Sequence, residues 1–168
     1  AHYSAYSYIE PFMINIGAMS GNFTTFLLLL FGGAGIIGSV IFSYWGEKNN
    51  TPLLVTNTVI VMLCMALMMM LVSSQWATAT MLVLWGTALM VVVLAMQVKV
   101  LNIDLNASDM IMSMFSGIIN LGIGAGALIG GQVIHFSSLQ GIGYVGAGFA
   151  LLSLVLILVM LRRYPDIR

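Results

Sequence analysis

The chain has 168 residues, of which 61% are hydrophobic and only 6% charged, with a mean hydropathy of +1.08 and no formal net charge. A water-soluble domain carries charge on about a quarter of its residues, so a soluble enzyme or regulatory domain is excluded. Five basic against five acidic residues leave no patch for nucleic acid, and the single cysteine, Cys64, lies in an apolar run where it forms no intrachain disulfide and implies no metal or other cofactor.

The chain opens with its most polar segment, His2-Tyr3-Ser4-Ala5-Tyr6-Ser7-Tyr8-Ile9-Glu10-Pro11-Phe12. At about 100° per residue, His2, Tyr3, Tyr6, Ser7 and Glu10 fall within an arc of roughly 140°, while Ala1, Ala5, Tyr8, Ile9 and Phe12 lie mostly elsewhere. An imidazole, two phenols, a hydroxyl and a carboxyl on one helix face suit a polar cavity wall and are wrong for lipid. Glu10 is the acid that stands apart from the other charges, and an intramembrane acid is a candidate for proton coupling; reaching water at the outer helix end is the alternative. Pro11 cannot donate to the carbonyl of Ser7 and predicts a bend there. As a helix, the segment to about Ile16 spans only roughly 24 Å. It has neither a starting Met nor the order of a signal peptide, so it reads as the outer part of a helix whose cytoplasmic portion has been cut away.

Five apolar stretches follow, at about residues 23–45, 53–72, 77–98, 110–136 and 144–161. Each has roughly the 20 residues needed to cross a hydrocarbon core, and lipid permits only helices there. The expected fold is therefore an all-α membrane protein, a six-helix transmembrane bundle with its first helix truncated. Apart from Glu10, the charges form three patches: Glu47 and Lys48; Lys99, Asp104 and Asp109; and Arg162, Arg163, Asp166 and Arg168. Two spans separate each patch from the next, so all three share one side. The opposite loops contain no Lys or Arg, which places the basic side and the C-terminus in the cytoplasm. Trp76 at the outer interface and Trp45 and Tyr164 at the inner one fit aromatic belts. Thr51-Pro52 predicts a helix start, with Thr51 as the cap, and Ser108-Asp109 predicts another. A glycine cluster at Gly141, Gly143, Gly146 and Gly148 predicts close packing.

The fourth full span carries Gly117, Gly122, Gly124, Gly126, Gly130 and Gly131. Their spacings of four and seven return to nearly the same faces, predicting two smooth stripes for helix packing. Asn120 on this span is an amide near mid-membrane, bonded to another helix or facing a cavity. Trp85-Gly86 sets an aromatic plane beside a gap, where a sugar ring could stack or a core could pack. The methionines read as adaptable apolar filling.

Several segments together resemble bacterial sugar efflux transporters of the drug–proton antiporter branch of the major facilitator superfamily. They are the opening twelve residues, Gly32-Gly33-Ala34-Gly35-Ile36-Ile37-Gly38-Ser39, Met96-Gln97-Val98-Lys99, Phe115-Ser116-Gly117-Ile118 and Ile142-Gly143-Tyr144-Val145-Gly146-Ala147. The resemblance runs in order through residues 1–168. It implies the C-terminal half of a twelve-helix carrier in the bacterial inner membrane, completed by a missing N-terminal six-helix half. The implied function is export of small sugars such as arabinose or galactoside analogues in exchange for protons, without enzymatic activity. The residues expected to meet substrate are His2, Tyr3, Tyr6, Glu10, Trp85 and Asn120. A multidrug or other small-metabolite exporter, or a structural half-bundle that assembles with a partner, is the alternative. The superfamily's glycine–acid–arginine signature is altered here, with Ser43 and Tyr44 at the acid and arginine positions.

Overall fold

In apolar surroundings the backbone must satisfy itself, and among the described residues it does so with helices and the turns that join them. A computed structural model describes residues 1–164, apart from the side chains of Glu47 and Leu105; Asp166 and Arg168 of the terminal charge patch lie outside the described residues. The elements are α1 (His2–Tyr6), α2 (Ile9–Asn15), α3 (Gly21–Leu71), α4 (Gln75–Leu101), α5 (Ser108–Phe136) and α6 (Ile142–Arg163), with short 3-10 turns at Leu105–Ala107 and Leu139–Gly141. Five segments are long and apolar enough to cross a membrane: Gly21–Gly46 and Lys48–Leu71, which are the two limbs of α3, then Gln75–Leu101, Ser108–Phe136 and Leu139–Arg163.

The limbs of α3 meet at Asn49, the residue with non-helical φ −127° and ψ 30°. Pro52 then falls in the first turn of the second limb, where its missing N–H costs nothing. The expected cap at Thr51 is corrected: the turn comes two residues earlier, and the Thr51 hydroxyl instead accepts from Lys99 Nζ at 2.7 Å. Ser108 likewise is the first residue of α5, behind Ala107 at the cap position.

Contacts fix the directions of the segments. Thr87 Oγ1 donates to the Ala34 carbonyl at 3.2 Å, and Gly86 lies against the backbone of Phe31, so the first limb of α3 runs parallel to α4. The second limb runs antiparallel to α4, because Asn50 Nδ2 donates to the Ala95 carbonyl at 3.2 Å while Cys64 lies beside the Met81 carbonyl at 3.8 Å. Gly143 abuts Met65 and Met68, whereas Leu54 and Ile157 share a cleft, so α6 opposes the second limb. With the short connections between them, each crossing reverses the one before. Lys48, Lys99, Arg162 and Arg163 therefore gather at one end.

The outer surface matches a hydrocarbon environment. Leu29 and Ile36 on the first limb of α3, Met70 on its second limb, and Leu121 and Leu128 on α5 are each 71–75% exposed, an apolar coat that water would not tolerate. Hydroxyls within the spans bond back along their own helices: Ser39 to Gly35, Thr58 to Leu54, Thr80 to Trp76 and Ser153 to Phe149. This is how Ser and Thr are carried in a medium without water. The core beneath is built from Phe12, Met13, Leu27, Met65, Met68, Leu82, Trp85 and Ile142, all nearly inaccessible.

The glycines of α5 divide by position along the helix. At Gly126 an added Cβ would meet Tyr3 and Ser4, at Gly130 the Ser4 carbonyl and the Tyr8 ring, and at Gly131 the Tyr8 hydroxyl. At Gly117, Gly122 and Gly124 it would meet nothing within 4 Å. The two-stripe expectation is thus corrected: on both stripes only the later glycines, Gly126, Gly130 and Gly131, seat the start of the chain, and the earlier three have no described neighbour. Of the later cluster, Gly143 and Gly146 are tightly packed and Gly148 is open. Gly130→Ala is expected to cost about 1–3 kcal/mol through overpacking. Gly124→Ala should be neutral or slightly stabilising, since Ala is the better helix former by about 1 kcal/mol. Thermal unfolding in detergent checks this, and equal melting temperatures for the two variants would refute the assigned packing.

Candidate functional site

The polar segment at the start of the chain is a broken helix. α1 ends at Tyr6 and α2 begins at Ile9, with Tyr8 at φ −121°, ψ 13° between them. Pro11 supplies no donor for the Ser7 carbonyl, and one turn earlier the Tyr8 N–H turns to the Ala5 carbonyl at 3.1 Å in place of that of Ser4. The predicted bend at Pro11 is therefore an interruption at Ser7–Tyr8, with Pro11 in the first turn of α2. The Ser4 carbonyl occupies the space that a side chain at position 130 would need. Tyr8 Oη donates to the Ala127 carbonyl at 3.0 Å, which ties the break to α5.

One side of this interrupted helix is buried: Ala5, Ile9 and Phe12 are at most 2% exposed. The other side gathers aromatic rings around His2. Tyr6 stacks on the imidazole at 4.9 Å between centroids and Phe31 stacks at 5.8 Å, while Tyr3 at 4.7 Å and Trp85 at 5.4 Å meet it edge-on. Such stacked and edge-to-face pairs are the favoured aromatic geometries. The cluster spans α1, the first limb of α3 and α4. At its centre two buried polar atoms, His2 Nδ1 and Trp85 Nε1, have no hydrogen-bond partner among the described residues. Buried donors and acceptors left unpaired are costly, so a hydroxyl that reached His2 Nδ1 would be stabilised there.

The structure brings together His2, Tyr3, Tyr6 and Trp85 of the sequence candidates. The role expected for Trp85 is corrected: its ring is fully buried, and Gly86 beside it is filled by the Phe31 backbone rather than forming a gap. Trp85 supports the His2 ring from beneath and offers no face to a ligand in this arrangement. Glu10 lies beyond the break in the first turn of α2, exposed, and Asn120 is exposed on α5 in the region of Gly117, Gly122 and Gly124. Neither makes a hydrogen bond among the described residues, and neither touches the His2 cluster by any ring or polar contact. Phe31 and Tyr8 were not singled out by the sequence. Their roles depend on the register between helices, which periodicity along one helix does not carry. No group of three His, Cys, Asp or Glu among the described residues could hold a metal ion.

No known protein-family model matches the chain. Within the cluster, support and contact are separable by mutation. Trp85→Ala should cost about 3–5 kcal/mol of stability, as for a large core residue. Tyr6→Phe removes a hydroxyl without a described partner and should change stability by no more than about 0.5 kcal/mol. Chemical unfolding of both variants in mixed micelles tests this; a Trp85→Ala protein as stable as the parent would show that the ring is not part of the core.

Proposed function

We propose that the chain is the C-terminal half of a proton-coupled secondary transporter, a six-helix bundle in which α1 and α2 form one interrupted helix. The observation that carries this reading is a polar, aromatic cluster at a broken helix inside an otherwise apolar, membrane-sized bundle. Interrupted helices with unpaired polar groups near the bilayer midplane are where secondary transporters build their binding sites. The gathering of basic residues at one end supports an orientation with that end, and the C-terminus, in the cytoplasm of a bacterial inner membrane.

In this reading Tyr3 and Tyr6 present phenolic hydroxyls to the substrate, and His2 Nδ1 accepts from or donates to a substrate hydroxyl. Many modest neutral hydrogen bonds suit a small sugar such as arabinose or a galactoside analogue better than a strong charge would. Trp85 and Phe31 hold the imidazole in place. The exposed Glu10 and Asn120 belong to the open face that the N-terminal six-helix half would cover. There Glu10 binds a proton from one side and releases it to the other, because the two conformations hold it with different affinities. The open half of α5 at Gly117, Gly122 and Gly124, without side chains on either stripe, would let that half rock across α5. Sugar export is chosen over the export of drugs or other metabolites on the sequence resemblance, and the phenols favour it because the apolar ring of Phe31 and the indole of Trp85 are buried.

The test is transport by this chain together with its N-terminal half in proteoliposomes. Glu10→Gln should lower proton-driven sugar efflux by about tenfold or more, equivalent to about 1.4 kcal/mol in the barrier, while sugar counterflow without a proton gradient persists. Undiminished proton-driven efflux would remove Glu10 from coupling, and no sugar flux by the unmodified protein would overturn the sugar reading.

A further inference from the structure

A second opening lies away from the His2 cluster, at the basic end of the bundle. It is a cleft of about 690 Å³ between the turn of α3, the last turns of α4 and the end of α6. Its character changes with depth. Lys48, Asn50, Lys99 and Asn102 line it where the helices end, and Leu156, Ile157 and Met160 of α6 line it further in. From Arg163 to Leu156 is about 10 Å along the helix axis, the depth over which a bilayer passes from headgroups into acyl chains.

The polar mouth is ordered by contacts of its own. Lys99 Nζ donates to Thr51 Oγ1 at 2.7 Å, which fixes a cationic group there, and Lys48 is exposed beside it. Asn50 donates its Nδ2 to the Ala95 carbonyl at 3.2 Å, so its amide cannot turn without losing that bond. Asn50 lines the same cleft, and the Oδ1 that this leaves is buried with no hydrogen-bond partner among the described residues. It can only accept. The site therefore asks for an anion, a hydroxyl donor close to that anion, and an apolar tail.

We propose that this cleft binds an anionic phospholipid with a hydroxyl-bearing headgroup of the phosphatidylglycerol type. The phosphate lies with the ammonium groups of Lys48 and Lys99, a headgroup hydroxyl donates to Asn50 Oδ1, and an acyl chain follows Leu156 and Met160 down α6. Basic pockets between helices at a membrane face favour anionic headgroups. A zwitterionic lipid would bring its own cation against the lysines. A soluble sugar would leave the apolar wall unused. The inference depends on the membrane placement of the helices and not on transport, so failure of either reading leaves the other standing.

The experiment uses the full chain in nanodiscs of phosphatidylcholine containing minor, equal fractions of phosphatidylglycerol and phosphatidic acid, with the lipids retained on release read by native mass spectrometry. Phosphatidylglycerol should be retained above its bulk fraction and above phosphatidic acid, which lacks the glycerol headgroup and its alcohol hydroxyls. Lys48→Gln should cut that enrichment about fivefold, from about 1 kcal/mol per basic residue at the membrane surface, and Lys48→Arg should retain it. Asn50→Leu should bring phosphatidylglycerol down to the level of phosphatidic acid. Substituting Arg162 and Arg163 by Gln should change little, because neither lines the cleft. Equal retention of all three lipids would overturn the site. So would equal retention of the two anionic lipids by the unmodified chain, or a loss with the arginine substitutions as large as with Lys48→Gln.

Discussion

Hydrocarbon offers a backbone no hydrogen-bond partner, and this one constraint orders the rest of the molecule. It confines every described element to helix, turns hydroxyls such as those of Thr58 and Ser153 back onto their own carbonyls, and pushes Lys48, Lys99, Arg162 and Arg163 to helix ends. It also makes any departure from regular helix informative, because a broken hydrogen-bond ladder has to be compensated by neighbouring protein.

The break at Ser7–Tyr8 is compensated in that way. Tyr8 reaches across to the Ala127 carbonyl, and the glycines at positions 126, 130 and 131 let the interrupted backbone lie directly on α5. A side chain at position 130 would push α1 outward and carry the His2 ring away from Tyr6, Phe31 and Trp85. The packing of two helices thus sets the geometry of a polar cluster built on three elements. The cost of the unpaired His2 Nδ1 and Trp85 Nε1 is carried by the close aromatic packing around them.

Much of this was legible in the sequence, for physical reasons that also mark its limits. Hydropathy and charge placement gave the long spans to within a few residues, since burial in lipid acts on whole segments. The division of the first segment into a buried side with Ala5, Ile9 and Phe12 and a polar side with His2 and Tyr6 followed from helical periodicity. The place of the break did not, because Pro11 acts on a carbonyl four residues back and the ladder then yields at Ser7–Tyr8. Trp85 looked available because Gly86 suggested a gap; only the parallel approach of α3 shows the gap filled by the Phe31 backbone. The α5 glycines looked alike for the same reason. A single helix records which residues share a face, but the neighbour against each face comes from tertiary register.

The most direct test of this arrangement is the sidedness of its turns. With Cys64 replaced by Ala, single cysteines at Asn49 and Asn102 should react with an impermeant thiol reagent from one face of sealed vesicles. Cysteines at Ser73 and Ser138 should react only from the other. Labelling of positions 49 and 73 from the same face would contradict a bundle whose segments cross the membrane in alternation, and with it the placement of every site described above.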